Sequence, residues 1–165
     1  MMSRGVLVLS IIALIGANVY LCAALFAAPT VEVEALKVGN GNALLVKVPG
    51  GRAVLVGAGP DASIVRALGG ALPPWQRHLD ALVILTPTLG EAGGAPFVLE
   101  RYYVGTLVRS SEQGAPTREA ALAKAASAAK VRISEIPPAA GLILHYGSLS
   151  LPLSASTTPG TYSLK

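Results

Sequence analysis

From Gly5 to Ala28 the chain runs for 24 residues without a charged side chain, most of them Val, Leu, Ile or Ala. A helix needs about 20 such residues to cross ~30 Å of hydrocarbon, so the run predicts a transmembrane helix over 5–28. Asn18 is the one strongly polar side chain inside it, and a single amide is tolerable in a spanning helix. Arg4 precedes the run, while Glu32 and Glu34 follow it. That flank asymmetry predicts residues 1–4 in the cytoplasm and everything after Pro29 on the extracytoplasmic side. A cleaved secretory signal is the rival, but the run exceeds the ~7–15 apolar residues of a signal core. Cleavage after Ala28 would also leave Phe26 badly placed and Pro29 beside the bond. Cys22 is no better as a lipoprotein site, since Leu21 before it is too large. The expectation is a single-pass anchor, an exported domain over 30–153 and a loose tail over 154–165.

The 165 residues suffice for one domain. Hydrophobic residues make up 52% and charged residues 13%, against roughly 25% charged in average domains. This excludes a disordered solvating chain, a collagen-like repeat and a coiled coil. One cysteine excludes a disulfide framework and a cysteine-based zinc cluster. His78 and His145 stand 67 positions apart, so no multi-histidine centre can be built within this chain alone. Leaving out Arg4, twelve basic and nine acidic residues follow the run, a net +3. Six of the basic ones (Arg101, Arg109, Arg118, Lys124, Lys130 and Arg132) fall close together, with Glu112 and Glu119 among them. A basic face would attract nucleic acid or anionic lipid. No stacking aromatics interleave with these charges, so an ordinary solvated surface is the simpler reading.

Beyond Pro29 short apolar stretches alternate with Gly and Pro. Val31, Val33 and Ala35 alternate with Glu32 and Glu34, the period-two pattern of a half-buried strand. Gly39-Asn40-Gly41-Asn42 predicts a tight loop, Ala43–Val48 a second strand, and Pro49-Gly50-Gly51 a turn into Ala53–Val56. Asp61 or Ser63 would cap a helix through Ile64, Val65 and Leu68 that ends near Gly69-Gly70. Ala81–Leu85 reads as a buried strand, followed by a Gly-rich loop from Thr86 to Gly94 and a short helix around Phe97–Tyr103. Val104–Val108 is a further strand. Thr117 would cap an Ala-rich helix to Ala129, with Leu122, Ala126 and Ala129 on one face. Val131–Ile136, Leu142–Tyr146 and Leu149–Leu153 complete the strands. There is no internal repeat. A meander followed by strands interleaved with helices predicts a layered α/β domain.

Four segments carry a resemblance. They are Leu36-Lys37-Val38-Gly39-Asn40-Gly41-Asn42-Ala43, Gly51–Pro60, Leu79-Asp80-Ala81-Leu82-Val83-Ile84-Leu85-Thr86 and Gly93–Tyr102. In order and spacing they resemble the L-D-V-G-Q-G-D-A, V-L-I-D-x-G-P, L-D-x-L-V-L-T-H and G-G-L-x-x-V-L-E-R segments of one family. That family is the metallo-β-lactamase-fold domain of ComEC-type DNA-uptake competence proteins. The likeness covers roughly Val31 to Val108 and is thinner over Leu142–Leu153. It implies roughly the first half of an αββα fold, and a metal-dependent hydrolase ancestry.

The departures from that pattern bear on function. The family places H-x-H-x-D-H after its L-T, because two metal ions need imidazoles and a carboxylate converging from one loop. Here the loop reads Thr86-Pro87-Thr88-Leu89-Gly90-Glu91-Ala92-Gly93-Gly94 and is one residue short. Pro87 stands at the first His position and Glu91 at the last. Lys37 and Asn42 replace the two Asp of the opening motif, and Gly57 replaces the Asp of the next strand. The later ligands of the family belong to a second half that the sequence is not expected to hold. A hydrolytic zinc centre takes about three protein ligands and an activated water, and Glu91 supplies one carboxylate. The expectation is therefore no catalytic residue, no metal and no cofactor, with Pro87 and Glu91 marking a degenerate ligand loop.

Other candidates have plain readings. Glu91 is expected to be solvated, as exposed carboxylates usually are. His78, before a buried strand, reads as a surface or packing residue, and His145 would alternate outward on its strand. Trp75, after Pro73-Pro74, reads as closing a core edge. The Gly39–Asn42 loop lacks phosphate-cradle spacing, and palmitoylation of Cys22 has no support. The resulting expectation is a membrane-anchored, non-catalytic module for extracytoplasmic binding or scaffolding, related through its resemblance to DNA uptake. A protein partner or a second copy would cover apolar sheet left bare by an incomplete fold, and nucleic acid is a weaker partner. The alternatives are a metal-dependent hydrolase with an atypical site, or a functionless remnant of one.

Overall fold

The computed structural model describes residues 31–137 throughout, the strand backbone at 142–146, 149–155 and 162–164, and residues 5, 11, 13–18 and 20. The chain divides into two units, Met1–Thr30 and Val31–Lys165. In the first, residues 11, 13–18 and 20 are helical and exposed, Ile11, Leu14, Ile15 and Tyr20 among them. Asn18 Nδ2 donates to the Leu14 carbonyl one turn back, 3.0 Å away. Among the described residues no helix is long and apolar enough to cross a membrane. Most of the span expected over 5–28 lies outside them, as does Cys22.

The second unit is an α/β domain with a six-stranded mixed sheet. The strands are β1 (Glu32–Ala35), β2 (Leu44–Val48), β3 (Arg52–Val56), β4 (His78–Ile84), β5 (Tyr103–Ser110) and β6 (Arg132–Ile136), adjacent in chain order. β1, β2 and β3 pair antiparallel as the expected meander. β3, β4, β5 and β6 pair in parallel. Four helices lie between the parallel strands: α1 (Ser63–Ala71), α2 (Leu89–Ala92), α3 (Ala95–Arg101) and α4 (Pro116–Ala129). Crossovers between parallel strands are right-handed, so a sheet extended steadily in one direction takes all its helices on one face. There Ile64 and Leu68 of α1, Val98 and Leu99 of α3, and Leu122 and Ala126 of α4 close over Leu45, Leu55, Leu82 and Leu107.

The opposite face carries Val46, Val48, Val54, Val56, Val83 and Leu85. All six are buried, Val46 and Val56 completely. This face of β2–β4 is therefore apolar and buried, like the one under the helices. A second sheet of β7 (Leu142–Tyr146), β8 (Leu149–Ala155) and β9 (Tyr162–Leu164) is antiparallel throughout.

Several boundaries differ from expectation for local reasons. Gly69-Gly70 lies inside α1, which runs on to Ala71 and stops before Pro73-Pro74. Thr117 does not cap α4, because Pro116 takes the first helical position and needs no donor there. The loop from Thr86 to Gly94 holds the four residues of α2. The helix stops at Arg101, Tyr102 follows it in extended backbone, and Tyr103 begins β5. In the segment 154–165, Ser154 and Ala155 extend β8 and pair with Ser163 and Tyr162 of β9; residues 156–161 and 165 lie outside the described residues.

Leu82, fully buried at the sheet centre, sets the scale of the core. Leu82→Ala is expected to cost about 2–5 kcal/mol in urea unfolding. Gly69→Ala, whose added Cβ meets open space within a helix, is expected to add about 0.5–1 kcal/mol.

Candidate functional site

In open parallel sheets ligands bind beyond the carboxyl ends of the strands. Here that end is built by three loops: Gly39–Asn42 before β2, Gly57–Asp61 after β3 and Leu85–Gly94 after β4. Main chain meets main chain among them. Asn42 N–H donates to Gly90 O at 2.9 Å, Ala58 N–H to Glu91 O at 2.7 Å, and Gly94 N–H to Gly59 O at 2.8 Å. Gly57 N–H donates to Val83 O at 2.8 Å, and Gly59 N–H to Asn42 O at 3.2 Å. Such proximity excludes side chains. A Cβ on Gly94 would stand 2.0 Å from Ala58 O, and one on Gly41 2.5 Å from Gly90 O.

Glu91 sits at the centre of these loops. Contrary to the expectation of a solvated carboxylate, it is 4% exposed. Oε1 accepts from Leu85 N–H at 3.1 Å, and Oε2 from Thr86 N–H at 3.1 Å and from the Thr86 hydroxyl. These donors face the position because β4 has ended and its last amides have no strand partner. A buried carboxylate without a cation needs such hydrogen bonds to offset lost hydration. Glu91 thus works as a capping acceptor that closes its own loop back onto β4.

The positions where the resemblance would place metal ligands do not fit a metal ion. Pro87 has no donor side chain, and its carbonyl accepts from Arg118 Nη1 of α4. Both Glu91 oxygens are engaged by the protein. Lys37 is exposed. Gly57 has φ +73°, and a Cβ there would lie 2.4 Å from Asn42 O and 3.3 Å from Glu91 Cγ. The loops around it therefore leave no room for a side chain. Among the described residues no three His, Cys, Asp or Glu side chains come close enough to share a metal ion.

No protein-family model matches this chain, and no curated protein matches its sequence.

Two further features escaped sequence reasoning. At the end of β5, Arg109 bridges Glu119 of α4 and Glu135 of β6, each at 2.7 Å. Glu135's hydrogen bond raises the guanidinium pKa above its ordinary value against the cost of burial, and the Glu119 charge adds to it. The sole foreshadowing of this bridge is register, which sets Arg109 opposite Glu135. Between α3 and α4 lies an open groove of about 490 Å³, lined by Pro96, Leu99, Ala121, Ala125 and Ala128 with Glu100 and Lys124 beside them. Small alanines leave it, since they cannot reach across the helix pair.

His78 is exposed and stacks on Tyr103, with ring centroids 5.3 Å apart, in keeping with a surface or packing role. Trp75 does not close a core edge; it is 83% exposed. The side chain of His145 lies outside the described residues.

Removing the Glu91 carboxylate leaves two amides and a hydroxyl without their acceptor, at about 1–3 kcal/mol for each buried group. Glu91→Ala is therefore expected to lose about 3 kcal/mol or more in urea unfolding, and Glu91→Gln less, since it keeps one acceptor. Losses under about 0.5 kcal/mol for both would mark Glu91 as a solvated loop residue. Gly57→Asp, which installs the residue of the resembled pattern, is expected to destabilise the fold and bring no metal binding.

Proposed function

We propose that this chain is a membrane-anchored, non-catalytic relative of the ComEC-type metallo-β-lactamase domain, acting as an extracytoplasmic binding or scaffolding module. One observation carries the non-catalytic part. Glu91, at the position of a metal-ligating histidine, spends both carboxylate oxygens on Leu85 and Thr86. A loop that in a hydrolase would turn its donors towards metal and water is here tied inward by protein groups. The sheet with helices on one face corresponds to the first α and β layers of the αββα arrangement. The link to DNA uptake rests on the resemblance alone.

The anchor reading has separate support. Ile11, Leu14, Ile15 and Tyr20 lie exposed on helical backbone. In lipid every polar group must find its partner within the protein. Asn18, the polar exception of the run, has turned its amide onto its own helix.

Elemental analysis of the full chain, purified in detergent after loading with zinc and manganese, tests the proposal. The expected result is no stoichiometric metal. Stoichiometric metal that Glu91→Gln abolishes would overturn it and restore the hydrolase reading.

A further inference from the structure

β1 and β3 run in the same direction, because each is antiparallel to β2, and β4, β5 and β6 follow β3 in parallel. The starting ends of five strands therefore share one end of the sheet, opposite the glycine-closed loops. Four of those strands begin with Arg52, His78, Tyr103 and Arg132. Arg77, Arg101 and Lys130 lie just before three of these starts. Glu32, Asp80 and Glu100 are the acids nearby, and two of them are engaged: Asp80 by Arg52 at 3.2 Å and Glu32 by Lys47 at 3.6 Å. Among the described residues Arg77, Arg101, Lys130 and Arg132 form no ion pair.

The same end exposes aromatic surface. Trp75 is 83% and Tyr103 68% exposed. Tyr103 stacks on His78, and the Arg77 guanidinium lies 5.9 Å from the Tyr102 ring. Indole and phenol rings beside arginines match a bilayer interface, where amphipathic rings sit at headgroup level and cations meet anionic lipid.

Chain connectivity brings this end to the bilayer. The apolar run closes at Ala28, and Pro29, Thr30 and Val31 alone separate it from β1. Three residues span about 10 Å at most. Once the run is embedded, the start of β1 is tethered within about 10 Å of the lipid surface. β6, where the row ends, is five strands away, about 24 Å at ~4.8 Å per strand. The row from Arg52 to Arg132 is then within reach of the same surface.

We infer that the strand-start end of the sheet, with Trp75, Tyr103, Arg77, Arg101 and Arg132, is a docking face for the anionic phospholipid surface of the membrane that the chain's own N-terminal segment enters. The inference rests on the anchor reading.

Trp75 is the single tryptophan of the chain, so its fluorescence reports this face alone. The full chain is reconstituted into vesicles of phosphatidylcholine, with or without phosphatidylglycerol, containing brominated acyl chains. Trp75 emission should shift to the blue and be quenched in the phosphatidylglycerol vesicles. The double variant Arg101→Glu/Arg132→Glu, at exposed positions, should lower the docked-to-free ratio about tenfold or more, given about 1 kcal/mol per surface cation. Flotation after alkaline carbonate extraction reads the anchor independently. A chain that floats while Trp75 keeps a water-exposed emission overturns the docking face and leaves the anchor standing. A chain that does not float overturns both. Equal quenching with and without phosphatidylglycerol, or quenching by a single-stranded oligonucleotide in place of lipid, also overturns it.

Discussion

The close approach of three backbone loops around one buried carboxylate governs the carboxyl end of this sheet. The contact is possible because glycine stands where the strands end, leaving room for carbonyls and amides to meet directly. It is held because Glu91 gives the two amides at the end of β4 an acceptor they would otherwise lack. Neither half works alone. A Cβ at Gly57 or Gly94 would force the loops apart, and without the carboxylate the Leu85 and Thr86 amides would lose their acceptor. Together they turn the customary ligand-binding end of a parallel sheet into packed main chain.

The two ends of the sheet consequently differ in character. At the carboxyl end, charges are mostly absorbed: Arg109 by Glu119 and Glu135, Arg118 by the Pro87 carbonyl, and Glu91 by backbone donors. At the starting end, arginines and aromatic rings stand in solvent. The docking face proposed above uses the exposed end, and the closed loops occupy the other.

Much of the architecture was legible because it follows from local pattern. Alternation in Val31–Ala35, the Gly-Asn loop and the Pro-Gly-Gly turn foretold the meander, and apolar runs between helical stretches foretold the parallel strands. Errors gathered where a single residue's neighbours decide. Gly69-Gly70 reads as a helix stop, yet nothing crowds it and the helix continues. Thr117 reads as a cap, yet Pro116 claims the first turn. The site was half legible: Pro87, Glu91 and Gly57 stood out as departures from a metal-binding pattern. The burial of Glu91 was not foreseeable, because it depends on carbonyls and amides brought in from the loop after β3 and from the loop before β2. Trp75 failed for the opposite reason, since its neighbours in sequence say nothing of how far it stands from the core.

Amide hydrogen exchange at Leu85 and Thr86 tests most directly whether the protein itself closes the loop after β4. Both amides should exchange slowly, at rates unchanged by zinc, manganese or a chelator, and Glu91→Gln should release them in a chain that otherwise keeps its core protection. Fast exchange of both in the unaltered chain, or protection that appears only when metal is added, would contradict the account.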